Sequence, residues 1–189
     1  MPYDLQPGDV VAFYGRDLMS RAISLATWGP SHVAIAFRAE DGRLLLGEST
    51  TLCPWPCEIK GLIKNGVQAH DPTQRIELYR GRVEVYRLAP ECRLSSLDAS
   101  LLAVMLECYW IGEPYDLGGA ILSGTRLAKF FRFWPYPDRG SVFCSALVAR
   151  LLMRLNRMNW ADPEWFNPAN LVRTLRRTGV YDPPVVLHV

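Results

Sequence analysis

Two apolar runs joined by a turn sequence are the feature that most limits how this chain can fold. The runs are Val33–Phe37 and Leu44–Leu46, and Glu40-Asp41-Gly42 lies between them. An Asp-Gly pair between two apolar runs is typical of a β-hairpin, because tight hairpin turns need residues that tolerate positive φ. We therefore predict an antiparallel hairpin in which residues near 35 face residues near 48.

Helical patterns alternate with further strands along the rest of the chain. Apolar residues recur at helical spacing in several segments that follow capping or turn residues. We predict helices over about 18–27, 96–112, 141–157 and 168–177, and further strands over 10–13 and 82–88. Prolines and glycines interrupt segment 49–80, which we interpret as loops and short strands at the rim of a site. The predicted fold class is α+β, in a single domain spanning 1–189.

Composition excludes several functional classes. The 189 residues suffice for one core, and 49% hydrophobic with 21% charged residues is typical of a globular protein. The formal charge of +2 argues neither for nor against nucleic-acid binding, but the basic residues are scattered without a dense run, which argues against it. Without an apolar run of about 18 residues or a secretory signal at the start, we expect no transmembrane helix and a cytoplasmic protein with reduced cysteines.

Cys144 is the first candidate for chemistry. It lies in the first turn of the helix predicted from about residue 141. The positive end of a helix dipole favours a thiolate, and free backbone N–H groups there can bind an oxyanion. The alternative is a small apolar residue on the core-facing stripe of that helix.

His32 and Glu48 are the candidate partners of this thiol. A cysteine nucleophile needs an imidazole within hydrogen-bond reach, and a carboxylate can fix the tautomer of that imidazole. His32 begins a predicted strand, whereas His70 lies in a polar segment interpreted as a loop and His188 lies near the C-terminus. Glu48 ends the second hairpin strand, where splaying of the strands would bring it beside His32. Half-exposed side chains at strand ends are the alternative for both residues.

Four short motifs together resemble a known family. They are Gly8-Asp9-Val10-Val11, Ser31-His32-Val33-Ala34-Ile35, Gly47-Glu48-Ser49 and Phe143-Cys144-Ser145-Ala146-Leu147-Val148. This set resembles the YiiX-like group, which comprises circularly permuted members of the NlpC-type papain-like superfamily. In unpermuted members the cysteine motif precedes the histidine motif, whereas the order here is His, Glu, Cys.

The resemblance implies a fold and a site. The fold would be a circularly permuted papain-like (NlpC-type) one, with an antiparallel sheet packed against helices that include the nucleophile helix. The site would be a triad of Cys144, His32 and Glu48 without a metal or an organic cofactor. The stretch 112–119 resembles the superfamily segment that supplies a tyrosine, which implies Tyr115 as a donor to an oxyanion or a substrate carboxylate.

The predicted function is hydrolysis of an amide or peptide bond through a thioester on Cys144. Cell-wall peptide, an isopeptide and a lipid-linked amide all fit this chemistry. One alternative is a lipid-type acyltransferase using the same triad, and another is a catalytically inactive binding module of the same fold. An aromatic cluster is either part of the core or a wall that contacts acyl chains or a membrane surface. Its members are Phe130, Phe131, Phe133 and Trp134.

A zinc site is the remaining metal hypothesis. Cys53 and Cys57 are spaced as half of a site, but structural zinc needs four ligands. The candidates left are His70, Cys92 and Cys108, at irregular spacing. We therefore predict neither a zinc site nor a disulfide here.

Overall fold

The described residues form an antiparallel sheet of six strands. The structure is a computed structural model, and it describes residues 3–51, 53–115 and 142–189. The strands are β1 (Val10–Gly15), β2 (His32–Arg38), β3 (Leu44–Thr50), β4 (Gly66–His70), β5 (Gly81–Tyr86) and β6 (Val185–His188). Their order in the sheet is β4-β3-β2-β1-β5-β6, and neighbouring strands run antiparallel. The predicted α+β class is confirmed.

Five α-helices accompany the sheet in the described part of the chain. They are α1 (Leu18–Thr27), α2 (Pro72–Glu77), α3 (Ser96–Val104), α4 (Cys144–Arg154) and α5 (Pro168–Arg177). A side chain caps the first turn of four of them, because its oxygen accepts a hydrogen bond from a backbone N–H group. These capping residues are Asp17, Asp71, Ser95 and Asn167. Within the described residues, no helix is long and apolar enough to cross a bilayer.

The predicted hairpin is confirmed and sits near the middle of the sheet. Ile35 pairs with Gly47, and Arg38 pairs with Leu44 across the turn. Gly42 has φ +85° in that turn, a conformation that glycine adopts without a steric penalty. Because β3 continues to Thr50, Glu48 lies inside the sheet between β2 and β4.

The sheet separates two apolar clusters. On one face, α4 packs against β2 and β3, and Leu147 of α4 is buried in the same cluster as Val33 and Ile35. On the other face, Phe13 and Ala34 belong to a smaller cluster. The site described below forms where the start of β2 meets the first residue of α4.

Several sequence predictions need correction. Segment 49–80 contains a short strand, β4, as predicted, but also the helix α2, which was not predicted, and the C-terminal residues form β6. Helix α4 begins at Cys144, three residues later than predicted. The predicted helix over 96–112 is α-helical only as far as Val104, and Leu97 on it is 77% exposed while Leu102 is buried.

Candidate active site

Cys144 is the first residue of α4. The N-cap residue, Phe143, makes no side-chain hydrogen bond to the first turn, so the helix N-terminus is left to its backbone N–H groups. Two serines fix the surroundings of the cysteine. Ser49 Oγ donates a hydrogen bond of 2.5 Å to the carbonyl oxygen of Val142, and Ser145 Oγ donates one of 2.6 Å to that of Phe166. The thiol is therefore held at a defined position, with only 3% of the residue exposed.

The strand register brings His32 and Glu48 together. Phe13 of β1 pairs with His32, and Gly47 of β3 pairs with Ile35, so Glu48 lies opposite Ala34 and diagonal to His32 on the same face. His32 Nε2 lies 2.5 Å from Glu48 Oε2. The predicted contact between this imidazole and this carboxylate is present.

The Cys144 thiol lies beside the His32 imidazole, close enough for each group to shift the pKa of the other. Because Glu48 occupies Nε2, the ring nitrogen left for the sulfur is Nδ1. Backbone N–H groups of Val33 and Ser145 also lie near the sulfur and stabilise its anion. The imidazole thus lies between a thiol and a carboxylate.

The electrostatics favour the ionised thiol and the charged imidazole. Burial alone would raise the pKa of the Cys144 thiol, but His32 and the two backbone N–H groups lower it below its ordinary value. Burial alone would lower the pKa of His32, but Cys144 and Glu48 raise it to about 9. Both shifts favour a thiolate–imidazolium pair over a neutral thiol and a neutral imidazole.

Glu48 has two further partners that the sequence did not indicate. His70 Nδ1 lies 2.8 Å from Oε1, while Arg75 donates from Nε to Oε1 at 2.7 Å and from its terminal nitrogen to Oε2 at 3.0 Å. Glu48 is fully buried. Burial alone would raise the pKa of its carboxyl, but Arg75, His32 and His70 hold that pKa well below its usual range. Glu48 is therefore ionised at neutral pH.

The prediction that His70 lies in a polar loop was wrong. His70 ends β4 and is 2% exposed. Gln68 pairs with Glu48, so His70 lies diagonal to Glu48 on the far strand, as His32 does on the near one. Burial alone would lower the pKa of His70, but the neighbouring Cys53 and Glu48 raise it to about 10. The alternation in Gly66–His70 is the signal that could have identified this strand.

Arg75 belongs to α2, which begins directly after His70. Asp71 caps this helix and Pro72 occupies its first turn, a combination typical of helix starts. The guanidinium lies 4.7 Å from the centre of the Phe13 ring and 5.4 Å from that of Tyr79, so aromatic faces cover it. The Asp71-Pro72 pair could have predicted the helix, but not the partner of Arg75.

The two cysteines of the hypothetical half zinc site are separated. Cys57 Sγ accepts a hydrogen bond of 3.3 Å from the backbone N–H of Ala69 and is buried in the large apolar cluster. Cys53 instead lies beside His70. Potential ligand atoms of Glu48, Cys53 and His70 lie within 4.8 Å of one another, a set of carboxylate, thiol and imidazole.

The carboxylate of this set has no lone pair left for a divalent metal ion, although His70 Nε2 beside Cys53 makes no hydrogen bond to a described residue. A carboxylate offers about four lone-pair positions. Glu48 already accepts one hydrogen bond from each of His32 and His70 and two from Arg75. A metal ion would have to displace one of these donors beside a buried guanidinium. The cations that surround Glu48 are protein side chains.

The other predicted site residues are less constrained. Tyr115 is half-buried and packs against the large apolar cluster that contains Cys144, and its role as a donor stays a prediction. The aromatic cluster of Phe130, Phe131, Phe133 and Trp134 lies outside the described residues. Within the described residues, neither Cys92 nor Cys108 lies with the group formed by Glu48, Cys53 and His70.

Comparison with known proteins identifies a similar fold. No protein-family model matches the chain, and no curated protein matches its sequence. Among solved structures, it is similar to YiiX from Escherichia coli O157:H7, a metalloprotein of the DUF1105 family. The sequences are 20% identical, the match covers 97% of this chain and 89% of that one, and the TM-score is 0.55. The fold is YiiX-like. At this identity the likeness extends to the fold alone.

Proposed function

We propose that this protein is a cysteine hydrolase that cleaves an amide or peptide bond through a thioester on Cys144. The observation that carries the proposal is the connected series from Cys144 through His32 to Glu48, with the sulfur at the start of a helix. A nucleophile, a base and a group that orients the base form the arrangement that covalent acyl transfer requires. Its three members come from β2, β3 and α4.

The fold supports a finer assignment. A nucleophile helix packed on an antiparallel sheet, with histidine and carboxylate on neighbouring strands, fits a papain-like (NlpC-type) fold in circularly permuted order. The chain order His32, Glu48, Cys144 is the permuted one. We therefore propose a permuted papain-like domain as the framework of the site.

The mechanism follows from the residues in place. The Cys144 thiolate attacks the carbonyl carbon, and backbone N–H groups at the start of α4 can donate hydrogen bonds to the oxygen as it becomes negative. His32 then gives its proton to the departing amine, which leaves an acyl thioester. Water, deprotonated by His32, attacks the thioester and releases the acid and the thiolate. Glu48 holds Nε2 so that Nδ1 faces the sulfur.

Tyr115 enters the proposal through the resemblance. It would donate to the oxyanion or to a carboxylate of the substrate. YiiX is named as a metalloprotein. The nearest equivalent of a metal site in this chain would be the group of Glu48, Cys53 and His70. Because the lone pairs of Glu48 are occupied, the proposed mechanism does not use a metal ion.

The test is the pH dependence of Cys144 alkylation. We expect iodoacetamide to label Cys144 with a rate that reaches a plateau well below pH 8, because His32 lowers the pKa of this thiol. An ordinary thiol, with pKa about 8.5, is less than about 1% ionised at pH 6 and would show no such plateau. The exposed Cys108 serves as the reference thiol in the same chain. His32→Ala should abolish the low-pH plateau, and His188→Ala should preserve it.

A second measurement separates hydrolysis from mere thiol reactivity. With p-nitrophenyl acetate, we expect a burst of one equivalent of p-nitrophenolate per protein, followed by slower turnover as water attacks the acetyl thioester. Mass spectrometry should place the acetyl group on Cys144. Labelling of Cys144 that accelerates only above about pH 8 and does not depend on His32 would contradict the proposal.

A further inference from the structure

Glu48 joins two thiol–imidazole pairs. On one side, His32 of β2 bonds Oε2 and lies beside Cys144. On the other side, His70 of β4 bonds Oε1 through Nδ1 and lies beside Cys53, while its Nε2 makes no hydrogen bond within the described part of the chain. The two histidines lie diagonal to Glu48 on its two neighbouring strands. The second pair has no place in the mechanism described above.

The charges around Glu48 make the second imidazole consequential. His70 is 2% exposed, and the charged groups that face it are Glu48 from β3 and Arg75 from α2, with the Cys53 thiol beside it. Arg75 by itself can balance the carboxylate, because it bonds both oxygens. A protonated His70 therefore adds a positive charge two hydrogen bonds away from His32.

We propose that His70 is a positioning residue of the proposed active site, whose cationic imidazole shares Glu48 with His32 and so adjusts the ionisation of the Cys144–His32 pair. The inference rests on the proposed function. His70 does not contact the reacting sulfur among the described contacts, so it acts through Glu48. Its raised pKa agrees with a cation at neutral pH.

The sign of the effect follows from electrostatics. A nearby positive charge makes a second cation harder to form and an anion easier to form. Removing the charge of His70 should therefore raise the pKa of His32 and also raise the pKa of Cys144. Charges this close in a protein interior shift each other on the order of one pH unit. A purely structural role of His70 would change rates or stability without moving both midpoints in one direction.

The test uses His70→Asn. Asparagine can keep a side-chain N–H near the position of Nδ1 while removing the charge, whereas His70→Ala removes both. We expect the midpoint of Cys144 alkylation and the imidazole NMR titration midpoint of His32 to rise together by about one unit in both variants. His70→Ala should in addition unfold more readily. The matched control is His188→Asn on β6, which should move neither midpoint.

The outcomes separate this inference from the proposed function. If Cys144 is not activated in the natural protein, the proposed function fails. If Cys144 is activated but His70→Asn leaves both midpoints in place, only the role of His70 is overturned. Should the variants not fold, the NMR titration of His70 in the natural protein decides. A midpoint below pH 7 would overturn the proposal, because His70 would then be neutral when the enzyme works.

Discussion

At the scale of single residues, Glu48 connects the site to the stability of the fold. It is buried and accepts four hydrogen bonds, from His32, His70 and Arg75. Sequence reasoning identified it as a strand-end carboxylate beside His32. The donors His70 and Arg75 were not predicted, because their positions depend on β4 pairing with β3 and on α2 packing near β3.

Replacing Glu48 by glutamine should therefore cost both reactivity and stability. Glu48→Gln leaves the Arg75 guanidinium and the His70 imidazole buried without a counter-charge, which typically costs about 3–5 kcal/mol. We also expect less low-pH alkylation of Cys144, because His32 loses the group that orients and charges it. Urea unfolding and the alkylation profile measure the two effects.

The control for this prediction is Glu58→Gln. Glu58 forms a 2.7 Å ion pair with Arg43 that is partly exposed, so its loss should cost no more than about 1 kcal/mol. Similar losses for Glu48→Gln and Glu58→Gln would contradict the central role assigned to Glu48.

The depressed pKa of Glu48 also predicts an acid dependence of stability. Its folded-state pKa lies below the ordinary value, so the carboxylate contributes stability that is fully present above about pH 5. That contribution is lost as pH falls through the folded-state pKa. The free energy of unfolding, measured with urea, should therefore fall steeply in acid for the natural protein and less steeply for Glu48→Gln. Parallel curves would show that Glu48 is not the group responsible.

At the scale of elements, prediction succeeded where long apolar runs lie beside clear turn or capping residues. The hairpin of β2 and β3 has long apolar runs and an Asp-Gly turn. Strand β4 has neither, because Gln68 and His70 place polar side chains on a buried face. Their burial makes sense only beside Glu48, a long-range partner that no local pattern reveals.

The close contact between α1 and α5 supplies a test at this scale. A Cβ atom on Gly29, which joins α1 to β2, would lie 2.4 Å from Ala169 Cβ and 2.9 Å from its Cα. Gly29→Ala should therefore force the start of α5 away from the segment before His32. Overpacking of this kind costs about 1–3 kcal/mol.

The measurement is thermal unfolding together with Cys144 alkylation. Arg173 of α5 donates a hydrogen bond of 2.9 Å to the carbonyl oxygen of Trp28, so displacement of α5 should also disturb the approach to His32. Gly61→Ala is a useful comparison, because its φ is +66° but nothing lies within 4 Å of a Cβ there. It should lower stability through backbone strain and leave the alkylation rate unchanged. Equal alkylation in both variants would contradict the coupling.

At the scale of the whole molecule, the site is assembled from the two ends of the chain. His32 and Glu48 come from the first 50 residues, whereas Cys144 follows almost a hundred residues later in the sequence. Local sequence patterns place each residue on its helix or strand, but they do not show that Cys144 lies close to His32 and Glu48. The combination of motifs predicted it through the resemblance to a known family, and in the structure α4 packs on β2 and β3.

Ser49 links the two ends directly, and this yields a final prediction. It follows Glu48 on β3, is fully buried, and donates its 2.5 Å hydrogen bond to Val142, two residues before Cys144. Ser49→Ala would leave that carbonyl oxygen without this donor, a loss of about 1–3 kcal/mol. Because the bond fixes the entry to α4, low-pH alkylation of Cys144 should also slow.

The comparison for Ser49→Ala is Ser95→Ala. Ser95 caps α3 at an exposed position through a 3.1 Å bond to the N–H of Asp98, and loss of such a cap costs about 1 kcal/mol. The two variants should thus unfold with broadly similar ease, while only Ser49→Ala reduces alkylation of Cys144. If both alkylate at the natural rate, the thiol is held by α4 packing alone, and the bond between Ser49 and Val142 contributes to stability without aligning the site.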